Sequence, residues 1–129
     1  MTFRQLNWHR DSAWVKIRCF FWDNGIRIAV ISNFNRLVLR DDTGRLWENY
    51  CISERLKRNH YLAKSCNYCF WRAYDQKEID LIEESGGNLE GTEFKWTVKT
   101  IKPSKEFLAT YPNSSYRVIY KEDYLDFIT

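Results

Sequence analysis

The sequence predicts an α+β domain, mainly antiparallel sheet built on an N-terminal β-hairpin meander, with two or three short helices packed on one side. Two observations lead there. β-rich runs broken by turn residues fill the first half of the chain. Beyond residue 52, capping residues followed by apolar residues at helical spacing recur between further β-rich runs. At 129 residues the chain has the length of one domain, 1–129, able to bury a single core without staples.

The first run, VKIRCFFWDNGIRIAVI (15–31), flanks Asn24-Gly25, a dipeptide suited to a type I′ hairpin because both central residues need positive φ. In that register Ile17, Cys19, Phe21, Ile28 and Val30 form a core face, and Lys16, Arg18, Phe20, Trp22 and Arg27 form the opposite, basic-aromatic face. Leu37–Arg40, Asp41-Asp42-Thr43-Gly44 and Arg45–Trp47 predict a second hairpin. Ser53 caps a predicted helix over 54–64, and the aromatic stretch 67–74 predicts a strand. Asp75-Gln76-Lys77-Glu78 has capping-box spacing, so a helix is expected through Ile82, stopped by Gly86-Gly87. Alternation of Phe94, Trp96 and Val98 with Lys95, Thr97 and Lys99 predicts a strand over 92–101. Ser104 starts a short helix through Tyr111, residues 116–120 form a last strand, and KEDYLDFIT ends the chain as an acidic turn or short helix.

Composition narrows the function classes. Aromatics reach 17% of the chain, more rings than a core of this size needs, so some are expected at the surface, where stacking and protein-binding hot spots use them. The N-terminal MTFRQLNWHRDSAWVK has no apolar stretch of the secretory kind, and no run approaches a membrane span. A soluble cytoplasmic protein with reduced cysteines is expected. Residues 1–74 carry thirteen Lys and Arg against six Asp and Glu, whereas 75–129 carry seven against eleven. Such a division fits a polyanion on the basic half, a basic partner on the acidic half, or pairing of the two halves with each other.

Four constellations carry the chemistry. Cys51, His60, Cys66 and Cys69 are an accepted zinc set by residue type, with a plausible knuckle at the last two, but the spacing of nine between the first two fits neither a second knuckle nor one helix face. Packed, reduced cysteines explain the same residues. Arg55, Lys57, Arg58, Lys64 and Arg72, interleaved with Tyr61, Tyr68, Phe70, Trp71 and Tyr74, have the makings of a nucleic-acid surface that Lys16, Arg18, Trp22 and Arg27 would extend. The bland reading is a solvated helix face. In the acidic half, Glu83, Glu84, Glu122, Asp123, Tyr124, Asp126 and Phe127 form a candidate protein-docking surface, charge supplying on-rate and rings supplying anchors. Last, Glu93-Phe94-Lys95 lies on a predicted strand with Asp75 or Asp80 upstream: carboxylates suit a hard cation and a lysine stabilises charge on phosphorus. Acid-x-Lys is common in charged strands, however, and both Asp residues fall on a predicted helix. His9 has no evident partner, and His60 shares its helix face with Leu56.

Without a nucleophile motif or a phosphate loop, these observations favour a small non-enzymatic binding or regulatory protein. It would act on another protein as inhibitor or adaptor, as monomer or homodimer, with the general look of accessory proteins of phages and mobile elements. The alternative is a nucleic-acid-binding protein using residues 51–74 and the first hairpin. The third is a Mg²⁺-dependent nuclease using Glu93 and Lys95. No cofactor is expected, zinc being the alternative.

Overall fold

The computed structural model describes residues 1–6, 16–73 and 77–129. The described elements are β1 (Thr2–Gln5), β2 (Ile17–Cys19), α1 (Asn24–Ile31), a 3₁₀ turn (Leu37–Leu39), α2 (Thr43–Tyr61), β3 (Asn67–Arg72), β4 (Glu78–Ser85), β5 (Asn88–Lys95), α3 (Lys105–Thr110), β6 (Ser114–Tyr120) and α4 (Leu125–Ile128). The strands form one six-stranded sheet in the order β2-β1-β3-β4-β5-β6. The β1–β2, β3–β4 and β4–β5 pairs are antiparallel, and β1–β3 and β5–β6 are parallel. The fold is α+β with a mixed sheet. Among the described residues no helix is long and apolar enough to cross a membrane.

Helices pack on both faces of this sheet, not on one. Trp47, Cys51 and Ile52 of α2 and Phe127 of α4 pack with Phe3, Phe70, Leu81, Phe94 and Ile119 from the strands. On the other face Phe107 of α3 packs with Trp71, Ile79 and Ile82. Rings supply much of the first core: Trp47 meets Tyr124 edge-on at 5.1 Å, and Phe94 meets Phe127 at 5.6 Å. Among the described residues most rings are thus buried in the two cores or half-buried, with Trp22, Phe34 and Tyr61 exposed.

Neither N-terminal hairpin forms. Asp23 caps α1: its carboxylate accepts from the backbone N–H of Gly25 (2.6 Å) and Ile26 (3.3 Å), so Asn24-Gly25 enters a helix in place of a turn. The backbone of Phe21 finds its partner in a side chain. Its N–H donates to Asn49 Oδ1 (2.7 Å), and Asn49 Nδ2 donates back to its carbonyl (2.8 Å). Asp41-Asp42-Thr43-Gly44 opens α2, which starts well before Ser53 and absorbs the predicted helix.

The expected helix after Asp75 is also a strand. Asp75 and Gln76 lie outside the described residues, and Glu78–Ser85 is β4. This strand is central and covered on both faces. Ile79, Leu81 and Ile82 are all buried, so it lacks the simple alternation that marks a half-exposed strand. The type I′ turn sought at Asn24-Gly25 occurs instead at Gly86-Gly87, whose φ angles of 58° and 80° join β4 to β5. The strand at 67–72, the short helix capped by Ser104 Oγ, the last strand and the C-terminal helical turn form as expected.

Candidate active site

The sheet opens between β4 and β5, two of its interior strands. Pairing of β4 with β5 runs from Ser85↔Asn88 to Leu81↔Thr92. Both strands continue beyond that point, β4 back to Glu78 and β5 on to Lys95. There the Asp80 carboxylate replaces a ladder partner: its Oδ2 accepts the Phe94 N–H at 3.0 Å. Asp80 thereby stands beside Glu93-Phe94-Lys95, on a strand and not on the predicted helix.

Glu48 of α2 and Arg18 of β2 complete the cluster. Arg18 Nη1 lies 3.3 Å from Glu48 Oε1 and 3.4 Å from Asp80 Oδ1. Its Nη2 pairs with Glu78, which also takes Arg72 Nε at 3.1 Å. The Arg18 guanidinium rests 5.0 Å over the Phe70 ring. On the far strand Glu93 accepts the Tyr116 hydroxyl proton and lies 4.0 Å from Lys95 Nζ. Glu78, Glu93 and Tyr116 line one wall of an open pocket of about 360 Å³, with Lys102, Ser104 and Lys105 opposite.

Burial and mutual repulsion set the protonation of these acids. Burial, then the Asp80 charge, pushes the Glu48 carboxyl up to about 7, against the pull of Arg18 and Lys95. Burial raises Asp80 too, opposed by the Phe94 N–H, Lys95 and Arg18. Glu93 is raised by burial, held back by the Tyr116 hydrogen bond and Lys95, and pushed further by Asp80 and Glu78. Among the described residues, no group of three His, Cys, Asp or Glu converges on a metal position as the side chains now stand.

The Glu48 shift makes a stability prediction. A carboxyl raised from 4.5 to about 7 binds its proton more tightly in the folded chain. That stability is complete below about pH 4.5 and is lost as pH rises through 7. Glu48→Gln is therefore expected to gain on the order of 2 kcal/mol over the native chain at pH 8 and little at pH 4.5. Urea unfolding at the two pH values measures it, and equal differences at both would assign Glu48 an ordinary titration.

The other sequence-derived sites disperse. Cys51 is buried on the sheet-facing side of α2 and Cys69 packs against the opposite core, while His60 is exposed, so the zinc set is not assembled. All four cysteines are free. Burial pushes the Cys69 thiol up to about 12 and Cys51 higher still.

The basic surface is mostly paired, much of it with the acidic half. Arg55 is buried against Glu83, Lys64 approaches the same carboxylate at 4.0 Å, and Arg72 and Arg18 pair with Glu78. Arg27 pairs with Asp42 and Lys57 with Glu54. Lys57 also lies 5.6 Å over Trp22. Lys16 is exposed before β2, and Arg58 is half-buried on α2.

The acidic docking surface loses Glu83 and Phe127, which are 1% and 3% exposed. Glu84 accepts from Asn67 Nδ2 at 3.0 Å. Glu122, Asp123 and Asp126 are exposed, with Tyr124 half-buried on the Trp47 ring.

Glu48 is the member of the cluster that sequence reasoning missed. It directly follows Arg45–Trp47, the predicted returning strand of a hairpin, and only its place on α2 brings it to Asp80. His9 lies outside the described residues.

No curated protein and no solved structure matches the chain. A family model described as a domain of unknown function, DUF4143, matches residues 43–127. The matched span runs from α2 into α4 and includes Glu48, Asp80, Glu93 and Lys95, leaving Arg18 and α1 outside it. Since the match covers more than half of its length, the chain belongs to the DUF4143 family.

Proposed function

We propose that the chain is a divalent-cation-dependent nuclease whose centre is Asp80, Glu93 and Lys95, with Glu48 beside them. The observation that carries this reading is the parting of β4 and β5 at Leu81–Thr92, which sets Asp80 alongside Glu-x-Lys. Buried carboxylates that repel one another gain most from a hard cation. Asp80 and Glu93 hold the ion. Lys95 faces the phosphate and stabilises the negative charge that develops as water attacks phosphorus and the P–O ester bond breaks. Glu48, poised near neutral pH, takes the proton released by the attacking water. Arg18 stands between Glu48 and Asp80, so a cation held by the carboxylates would compete with this guanidinium, and its affinity would rise with pH as the acids ionise.

The test is cleavage of end-labelled single- and double-stranded DNA and RNA with Mg²⁺ or Mn²⁺, by the native chain, Glu93→Gln, Lys95→Ala and Arg18→Ala. Expected is cleavage that a chelator abolishes and that falls by about 10²-fold or more in Glu93→Gln and Lys95→Ala, with Arg18→Ala needing less metal. No cleavage by either the native chain or Arg18→Ala overturns the reading, as does activity indifferent to both centre substitutions. A second reading, a protein-binding module, is favoured by a separate observation: the exposed apolar stretch 22–39 ahead of the matched span.

A further inference from the structure

Helix α1 has no buried residue, although its sequence, NGIRIAVI, carries one charge. Ile26 and Val30 are exposed along one side of it, followed by Phe34 and the 3₁₀ turn Leu37-Val38-Leu39. Phe34 is 76% and Val38 88% exposed. Together with Ile31, these side chains leave on the order of 800 Å² of apolar surface uncovered, above the few hundred usual for a monomer's largest patch.

The stretch is held in shape from below. Arg40, with a side chain only 1% exposed, pairs with Asp42 (Nε–Oδ1 2.8 Å, Nη2–Oδ2 2.8 Å) and donates to the Asn33 carbonyl. Arg27 of α1 takes the same Asp42 carboxylate at 2.8 Å. These two guanidinium groups hold the Asp42 carboxyl well below the usual carboxylate range. Ser32 closes the helix in the left-handed region (φ 52°). Polar groups therefore face inward and pin the segment, and apolar groups face outward. A surface ordered before binding loses little entropy on docking.

We propose that residues 22–39 form the interface of a two-fold symmetric homodimer. Two arguments choose a second copy as the occupant. The uncovered apolar area is about the 800 Å² per partner of a standard stable interface. The exposed charges around it are Asp23 and Asp41 against Arg36 and Arg45, two of each sign, so the rim carries no net charge to repel a second copy. A strongly acidic or basic partner would meet as much repulsion as attraction.

Sedimentation equilibrium of the full chain, run with and without divalent ions, tests the pairing independently of any cleavage. Expected is a dimer mass that Phe34→Asp and Val38→Asp each weaken by about 100-fold or more, with far-UV circular dichroism unchanged because both residues lie outside the core. Leu125→Asp, exposed at the other end of the chain, leaves the mass unaltered. A monomer at every concentration up to the order of 100 µM, or a dimer that survives both substitutions, overturns the proposal. So does a monomer that captures a different protein through this stretch.

Discussion

Arg55→Ala is expected to cost the fold about 3–5 kcal/mol, the usual price of leaving one member of a buried ion pair unpaired. Arg55 Nε lies 3.1 Å from both Glu83 oxygens, and its Nη1 donates to the Phe127 carbonyl at 2.8 Å. The guanidinium also covers the Phe127 ring at 4.4 Å. One side chain therefore neutralises a carboxylate that is 1% exposed, caps the last helix and packs on its ring. Without it, Glu83 keeps Asn59 Nδ2 at 2.6 Å and only the more distant cations Arg117 at 3.8 Å and Lys64 at 4.0 Å. Arg117, 3.8 Å away with its side chain 41% exposed, is too distant for a hydrogen bond to Glu83 and is a poor substitute. In a double-mutant cycle with Glu83→Gln, read by urea unfolding, the double variant should lose less than the sum of the singles by about 1–3 kcal/mol. Strict additivity would show that the two side chains do not interact. The same contacts explain why residues 51–74 are not a free basic surface: their central arginine serves the core.

Phe107→Ala should cost a comparable 3–5 kcal/mol. Phe107 is completely buried, edge-on to Trp71 at 5.7 Å and against Tyr111 at 5.3 Å. It approaches β5 closely enough that a Cβ at Gly91 would lie 3.2 Å from its ring. Helix α3 has six residues, too few to persist without tertiary contact. Losing the ring therefore loosens the element that forms the wall of the pocket opposite Glu93. Phe107→Leu, which refills most of the space, should recover more than half of the loss. A change below about 1 kcal/mol in Phe107→Ala would mean that α3 is anchored elsewhere.

Some elements were legible because their signals are local. Ser104 caps α3 through its own hydroxyl, β6 carries a short run of β-favouring residues after a Pro-Asn-Ser-Ser stretch, and the chain end reads as a turn of helix. Misread elements have local signals that are ambiguous by chemistry. Asp23, Asp41 and Asp42 suit a turn and a helix start equally well, and what decides is that Asn49, far along the chain, satisfies the Phe21 backbone. The run Ile79–Ile82 suits a buried helix or a strand covered on both faces, and the partners on either side decide.

The candidate site divides in the same way. Glu93-x-Lys95 was visible as a motif, since two residues apart on a strand means one face. The capping-box spacing before it places Asp80 on a predicted helix, and nothing in the local sequence marks Glu48.

The sequence by itself determined the α+β class, the divided charge and the carboxylate–lysine pair, because each depends on composition or on spacing within one element. Only the tertiary structure decided that the basic half spends much of its charge on the acidic half, that Glu48 and Asp80 meet through Arg18 with Asp80 bonded to the Phe94 N–H between Glu93 and Lys95, and that the apolar stretch 22–39 faces outward. Each of those depends on distances between residues remote in the chain, and such distances are set by the packing of whole elements and not by the neighbours of any one residue.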